Sequence, residues 1–173
     1  MHKSSGSKKR VFTLVELVLI LVIIGVSLTF VFHSIIPTST VELEAAANKL
    51  FLDLQYAQNL ALSTSVWCGV VFMPDPVNTY RLLKSKNGKM SAVEDPSNIG
   101  RDFVVKLYDI YKGVAIQSVD INGGESLWFH PLGTPHSADH GQVMAMTGVV
   151  TLEYSGAIKT IMIDPSTGRI KIF

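Results

Sequence analysis

His130, His136 and His140 fall in the segment HPLGTPHSADH, with Asp139 beside them. Imidazoles and a carboxylate are the donor types of a zinc site. Their segment also holds two prolines and a glycine and offers no helical face to align ligands, so it reads as a solvated loop. The one thiol, Cys68 in WCGVVF, sits in a strand-like run and reads as a small buried hydrophobe rather than a nucleophile. A single cysteine excludes an intramolecular disulfide and any zinc site that needs two thiolates. Ser, His and Asp are all present, yet no G-x-S-x-G elbow and no G-x-x-x-x-G-K-S/T phosphate loop occurs. No catalytic, cofactor-binding or metal-ligating residue is assigned, and the chain is not read as an enzyme.

The residue whose placement demands an explanation is Glu16, in RVFTLVELVLILVIIG. From Leu17 to Ile36 the chain runs 20 residues without Asp, Glu, Lys or Arg. As a helix this run spans about 30 Å, the hydrocarbon thickness of a bilayer. A carboxylate drawn into that layer costs roughly 2.5–3.5 kcal/mol and calls for a partner of opposite charge. At the headgroup level it would need none. A cleaved secretory signal has a shorter apolar core, about 7–15 residues, followed by a small-residue site. Here PTSTVELEAAANKL follows and opens a new helix, so a retained single span is expected. Lys3, Lys8, Lys9 and Arg10 precede it, with no acidic residue among residues 1–10. That asymmetry keeps the amino terminus cytoplasmic and exports the carboxyl side, the periplasm of a Gram-negative cell.

The basic leader, the FTLVEL hexapeptide and the apolar helix together resemble the processing signal of type IV pilins and type II secretion pseudopilins. The resemblance implies cleavage of the Val11–Phe12 bond by a membrane prepilin peptidase, and N-methylation of Phe12. It also implies that Glu16 pairs with the terminal amine of a neighbouring subunit during filament assembly. Two charges that are each costly in lipid would then neutralise each other as subunits stack. The family prefers Gly before the cut, and this chain has Val11, whose branched side chain fills space and restricts the backbone. Removing residues 1–11 leaves 11 basic against 14 acidic residues, a net of −3. No basic stripe then remains for a nucleic acid.

Behind these residues stand the elements that position them. The 173 residues carry 47% hydrophobic and 17% charged residues and a formal charge of +1. Soluble domains sit near roughly 25% charged. Mean hydropathy is +0.32, and the excess lies in the apolar run. Pro37 interrupts the helical pattern, with Thr38, Ser39 and Thr40 available to cap a restart and Glu42 and Glu44 for its first turn. From 41 to about 65, Leu43, Ala47, Leu50, Leu54, Ala57 and Ala61 recur at steps of four and three, one apolar stripe.

After Ser65 the period changes to short β-rich runs at 66–72, 80–83, 103–108, 114–121, 126–129, 149–154, 159–163 and 169–173, separated by turn residues. The stretch 84–101 reads as a long polar loop. Trp67, Trp128 and Tyr154 read as core or interface residues. The fold class is α+β: a long N-terminal helix, membrane-spanning in its first half and amphipathic in its second, then an antiparallel domain of about eight strands. The segments are a leader (1–11), a transmembrane helix (12–36), an amphipathic helix (37–65) and an exported β-domain (66–173).

Further stretches narrow the resemblance. LQYAQNLALSTSVWCGVVF resembles the helix-to-strand segment of the H-type minor pseudopilins, the GspH/FimT-like family, with Gln58 where that group carries Arg. SLWFHPLGTP resembles its Phe-x-Pro-x-Gly turn (Phe129, Pro131, Gly133), and IKTIMIDPSTGRIKIF its closing hairpin, with Gly168-Arg169-Ile170 matching a Gly-Arg-Val terminus. The resemblance implies a minor pseudopilin of the type II secretion pseudopilus, held in the inner membrane by one span. Its partners would be other pseudopilins or pilins, the prepilin peptidase and methyltransferase, the inner-membrane assembly platform and the lipid bilayer, with no nucleic acid. Two other classes stand beside it: a minor pilin of a type IV pilus, active in DNA uptake, and a singly anchored periplasmic metal-binding or enzymatic domain.

Overall fold

The apolar stripe read from the sequence is buried as drawn. Leu43, Ala47, Leu50, Leu54, Ala57 and Ala61 are each at most 2% exposed. They lie on a helix that packs against two antiparallel sheets. Each leucine buried there contributes roughly 2 kcal/mol of apolar transfer. The computed structural model describes residues 13–32, 38–74 and 76–173, in two compact units, Met1–Pro37 and Thr38–Phe173.

In the first unit, α1 (Leu14–Phe32) is apolar along its length with one charge, Glu16, and each described side chain from Thr13 to Ser27 is exposed. Thr13 starts it: its hydroxyl accepts a hydrogen bond from the Glu16 amide at 3.3 Å, and its carbonyl accepts one from the Leu17 amide. Among the described residues no helix is long and apolar enough to cross a membrane. The span expected over 12–36 runs past the described stretch at both ends. Pro37, Val11 and Phe12 also lie outside the described residues.

The second unit opens with α2 (Thr38–Thr64). Thr38, Ser39 and Thr40, expected as caps, are already inside it, so Glu42 and Glu44 fall beyond its first turn. Ten strands and one short helix follow: β1 (Trp67–Met73), β2 (Thr79–Lys86), β3 (Lys89–Ala92), β4 (Val104–Lys106), α3 (Leu107–Ile110), β5 (Ala115–Asp120), β6 (Ser126–Phe129), β7 (Pro135–His136), β8 (Gly148–Tyr154), β9 (Ala157–Ile163) and β10 (Ile170–Ile172). The first sheet has the order β3-β2-β1-β6-β7, with β4 also paired to β2; the second runs β10-β9-β8-β5.

Three expectations are corrected. Among the described residues the strands number ten rather than about eight, because β3 and β7 were not anticipated. The supposed loop 84–101 contains the end of β2 and all of β3, joined at Asn87-Gly88, whose positive φ angles of 53° and 75° suit a tight hairpin turn. Tyr108, expected at the end of a strand, lies in α3. Asn78 ties the sheets together: its side-chain carbonyl accepts the Ile116 amide at 2.9 Å while its main-chain carbonyl accepts the Leu107 amide at 3.0 Å.

Candidate functional site

Glu16 stands in the first turn of α1, three residues after Thr13. This is the Thr-x-x-Glu spacing of a helix start, and a negative charge there faces the positive end of the helix dipole. Its carboxylate is exposed and has no ion-pair partner among the described residues. A cation delivered from outside can therefore reach it.

The three motifs of the second unit, far apart in sequence, converge on one junction. The Gln58 side-chain amide, on the buried flank of α2, donates to the Gly133 carbonyl at 3.0 Å. Gly133 ends the Phe129–Gly133 turn with φ at 82°, and its amide donates to His130 O at 2.7 Å. Gly168, in the closing hairpin, sits at φ 66° against both. A Cβ there would lie 2.6 Å from Gln58 Nε2 and 2.9 Å from Gly133 O. Only a residue without a side chain fits that conformation and that approach. Asp164 closes the hairpin by accepting from the Ser166 and Thr167 amides and the Thr167 hydroxyl. Those bonds hold its carboxyl below the usual carboxylate range.

The histidine segment is not the solvated loop its composition suggests. His136 is in β7 and only 7% exposed, with Nδ1 2.8 Å from the Gly141 carbonyl. The imidazoles of His130, His136 and His140 gather around the Trp67 indole, at ring centroid distances of 4.9, 4.7 and 4.7 Å. Asp139 approaches His140 Nδ1 at 2.7 Å. The rings surround the indole rather than one common point. No group of three or more His, Cys, Asp or Glu among the described residues is arranged to hold a metal ion.

Cys68 is buried, 1% exposed, as a strand residue of the core. Desolvation pushes its thiol up to about 11, against smaller opposing effects of Lys84 and the Thr64 hydroxyl. Trp128 is core, Trp67 half-buried, and Tyr154 packs against the core.

Sequence reasoning passed over Asp53, a lone acid among the apolar positions of α2. It is 6% exposed. Both carboxylate oxygens accept from Lys49 Nζ at 2.6 Å, and Oδ2 also accepts from the Tyr80 hydroxyl at 2.6 Å. The Lys49 ammonium lies 5.0 Å over the Phe103 ring, which Tyr56 stacks on at 5.9 Å. Burial first, and the adjacent Asp53 charge second, push the Tyr80 phenol well above its ordinary range. The arrangement is a paired, satisfied buried charge that fixes α2 on β2.

No family model matches the sequence, and neither does any curated protein. Solved structures do match it. The type IV minor pilin FimU of Pseudomonas aeruginosa is 18% identical, over 79% of this chain and 91% of its own, with a TM-score of 0.53. The minor pseudopilin EpsH from the Type 2 Secretion System of Vibrio cholerae is 12% identical, over 76% of this chain and 96% of its own, with a TM-score of 0.55. At such identities the likeness is one of fold: a helix laid across two antiparallel sheets, closed by a C-terminal hairpin. The chain has the pilin-like fold of type IV minor pilins and type II secretion minor pseudopilins.

Proposed function

We propose that this chain is a minor pseudopilin, a non-enzymatic structural subunit of a type II secretion pseudopilus. It is stored in the inner membrane by a single apolar helix, with its amino terminus cytoplasmic and its β-domain periplasmic. The prepilin peptidase cuts before Phe12 and the new amine is methylated. Glu16 then recruits the subunit by pairing with a neighbour's terminal amine, handed over by the inner-membrane assembly platform. The observation that carries the reading is the union, in one chain, of the FTLVEL hexapeptide and an exposed apolar helix whose one charge is Glu16 with a domain of the EpsH fold. An apolar helix exposed on all sides requires lipid or other subunits to cover it.

A second reading, a minor pilin of a type IV pilus, draws support from the higher identity to FimU. Deleting the gene and complementing it separates the two. Loss of protein secretion with intact surface pili supports the pseudopilus. Loss of surface pili with intact secretion supports the pilus, and loss of neither overturns both.

A further inference from the structure

Strand β2 carries an unusual change of character along one face. Tyr80 and Leu82 point at α2 and are fully buried; the next residues on that face, Lys84 and Lys86, are exposed. They line a groove of about 520 Å³ between the C-terminal half of α2 and the β2–β3 hairpin. Its apolar floor is Tyr56, Leu60 and Val93. Lys89 stands directly opposite Lys86 across the hairpin, and Ser91 opposite Lys84. Like charges directly opposite on antiparallel strands are destabilising. Lys84, Lys86 and Lys89 have no ion-pair partner among the described residues. The acid at the rim, Glu94, is engaged with the Gly100 amide at 2.6 Å. The Asn87-Gly88 turn, with both φ angles positive, holds the opposed lysines in register.

We propose that this groove binds an acidic segment of a partner protein, with one bulky apolar side chain on Tyr56 and Leu60 and its carboxylates on Lys84 and Lys86. Charge complementarity carries the choice of occupant: Lys84 and Lys86, without an ion-pair partner among the described residues, stand beside an apolar floor, and a bound carboxylate relieves the Lys86–Lys89 opposition. A flat lipid surface is the poorer fit, because the apolar floor is recessed: Val93 is buried and Tyr56 and Leu60 are half-buried. Duplex nucleic acid is also the poorer fit, since residues 38–173 carry more acidic than basic side chains. The proposal is independent of which filament the chain serves.

The test uses the full chain in detergent micelles and a fluorescein-labelled peptide, Asp-Glu-Phe-Leu-Glu-Asp, read by fluorescence polarisation at low salt. The peptide is expected to bind, and Lys84→Glu with Lys86→Glu to weaken it about tenfold or more. The isosteric peptide Asn-Gln-Phe-Leu-Gln-Asn is expected to bind correspondingly less. Leu60→Gln is expected to weaken the acidic peptide while Lys171→Glu, on the second sheet, leaves it unchanged. The two lysines are exposed, and Lys86→Glu sets a carboxylate opposite Lys89, so the double variant melts at or above the parent temperature. Equal binding of the acidic peptide to parent and double variant overturns the proposal. So does duplex DNA or a phosphatidylglycerol vesicle that binds with the same lysine dependence and displaces the peptide, which makes the face a general polyanion surface.

Discussion

The side-chain amide of Gln58, on α2, donates to the main-chain carbonyl of Gly133, 75 residues further along the chain, at 3.0 Å. Gly168 lies against both partners. One polar contact thus joins the helix to the turn after β6, and the closing hairpin packs against both partners through Gly168. A helix side chain that reaches a backbone carbonyl locks orientation as well as distance. Apolar packing alone does not do so, because it tolerates sliding.

Gln58→Ala is expected to lower unfolding stability by about 1–2 kcal/mol, the consequence of leaving a buried carbonyl without its donor. Gly168→Ala is expected to cost roughly 2–3 kcal/mol, since it combines a positive φ with a close approach to Gln58 and Gly133. In the double variant the costs should sum to less than the two singles, because removing Gln58 frees the space the new methyl needs. Denaturant melts of the four proteins measure the coupling. Full additivity would mean the junction does not act as a unit.

Tyr80→Phe tests the buried Asp53 network. Loss of a hydrogen bond to a charged acceptor is expected to cost about 2 kcal/mol near neutral pH. The pH profile gives a second readout. A phenol whose folded value is raised above its ordinary 10.0 holds its proton more tightly when folded. Its contribution is complete below pH 10 and is lost as pH rises beyond that value. Alkaline destabilisation is therefore expected to be steeper in the parent than in the variant. Identical stability curves above pH 10 would show that Tyr80 ionises as a free phenol.

The long-period features were legible. Six stripe positions of α2 were read from spacing alone and all are buried, since a 3.6 period writes burial directly into sequence. Strand β3 was hidden because exposed lysines take the positions of its hairpin that would carry apolar residues and mask the alternation, although Asn87-Gly88 carried the turn signal. Strand β7, two residues long, is below any periodic signal. The gathering of His130, His136 and His140 around Trp67 depends on β1 lying beside β6 and β6 beside β7. No local pattern encodes that neighbourhood. Asp53 did leave a trace, a carboxylate between Leu50 and Leu54, but its partner Tyr80 lies in another element.

Cys68 is expected to resist thiol reagents in the native protein. With its thiol raised to about 11, roughly one molecule in a thousand is thiolate at pH 8, and that thiolate is buried. Iodoacetamide should therefore label it slowly at that pH, and rapidly once denaturant unfolds the domain. Rapid labelling of the folded chain would place the sulfur at the surface, contrary to its position in β1.

Val11→Gly is expected to raise the fraction of chains cleaved before Phe12 in a cell carrying the matching peptidase, because a glycine leaves open the space that a branched side chain fills. Mass spectrometry of the amino terminus gives the ratio. An already complete, N-methylated Phe12 terminus in the parent would remove any role for Val11 in limiting the cut.

On the proposed function, Glu16→Ala is expected to separate membrane storage from assembly. Removing the charge makes the helix more apolar, so insertion should be intact. The β-domain should remain folded, as its core is drawn from residues of the second unit. Loss of the favourable charge in the first turn of α1 costs the helix only about 0.3–1 kcal/mol, too little to unseat it. What should fall is cross-linking to other subunits, together with the secretion or piliation that depends on it. Glu16→Gln preserves size and the helix-start hydrogen bonding but carries no charge, so it should fail as the alanine variant does. Glu16→Asp keeps the charge on a shorter arm and should rescue in part. If Glu16→Gln assembles as the parent does, Glu16 serves α1 locally, through its place after Thr13, and pairing with a neighbour's amine is not how the subunit is recruited.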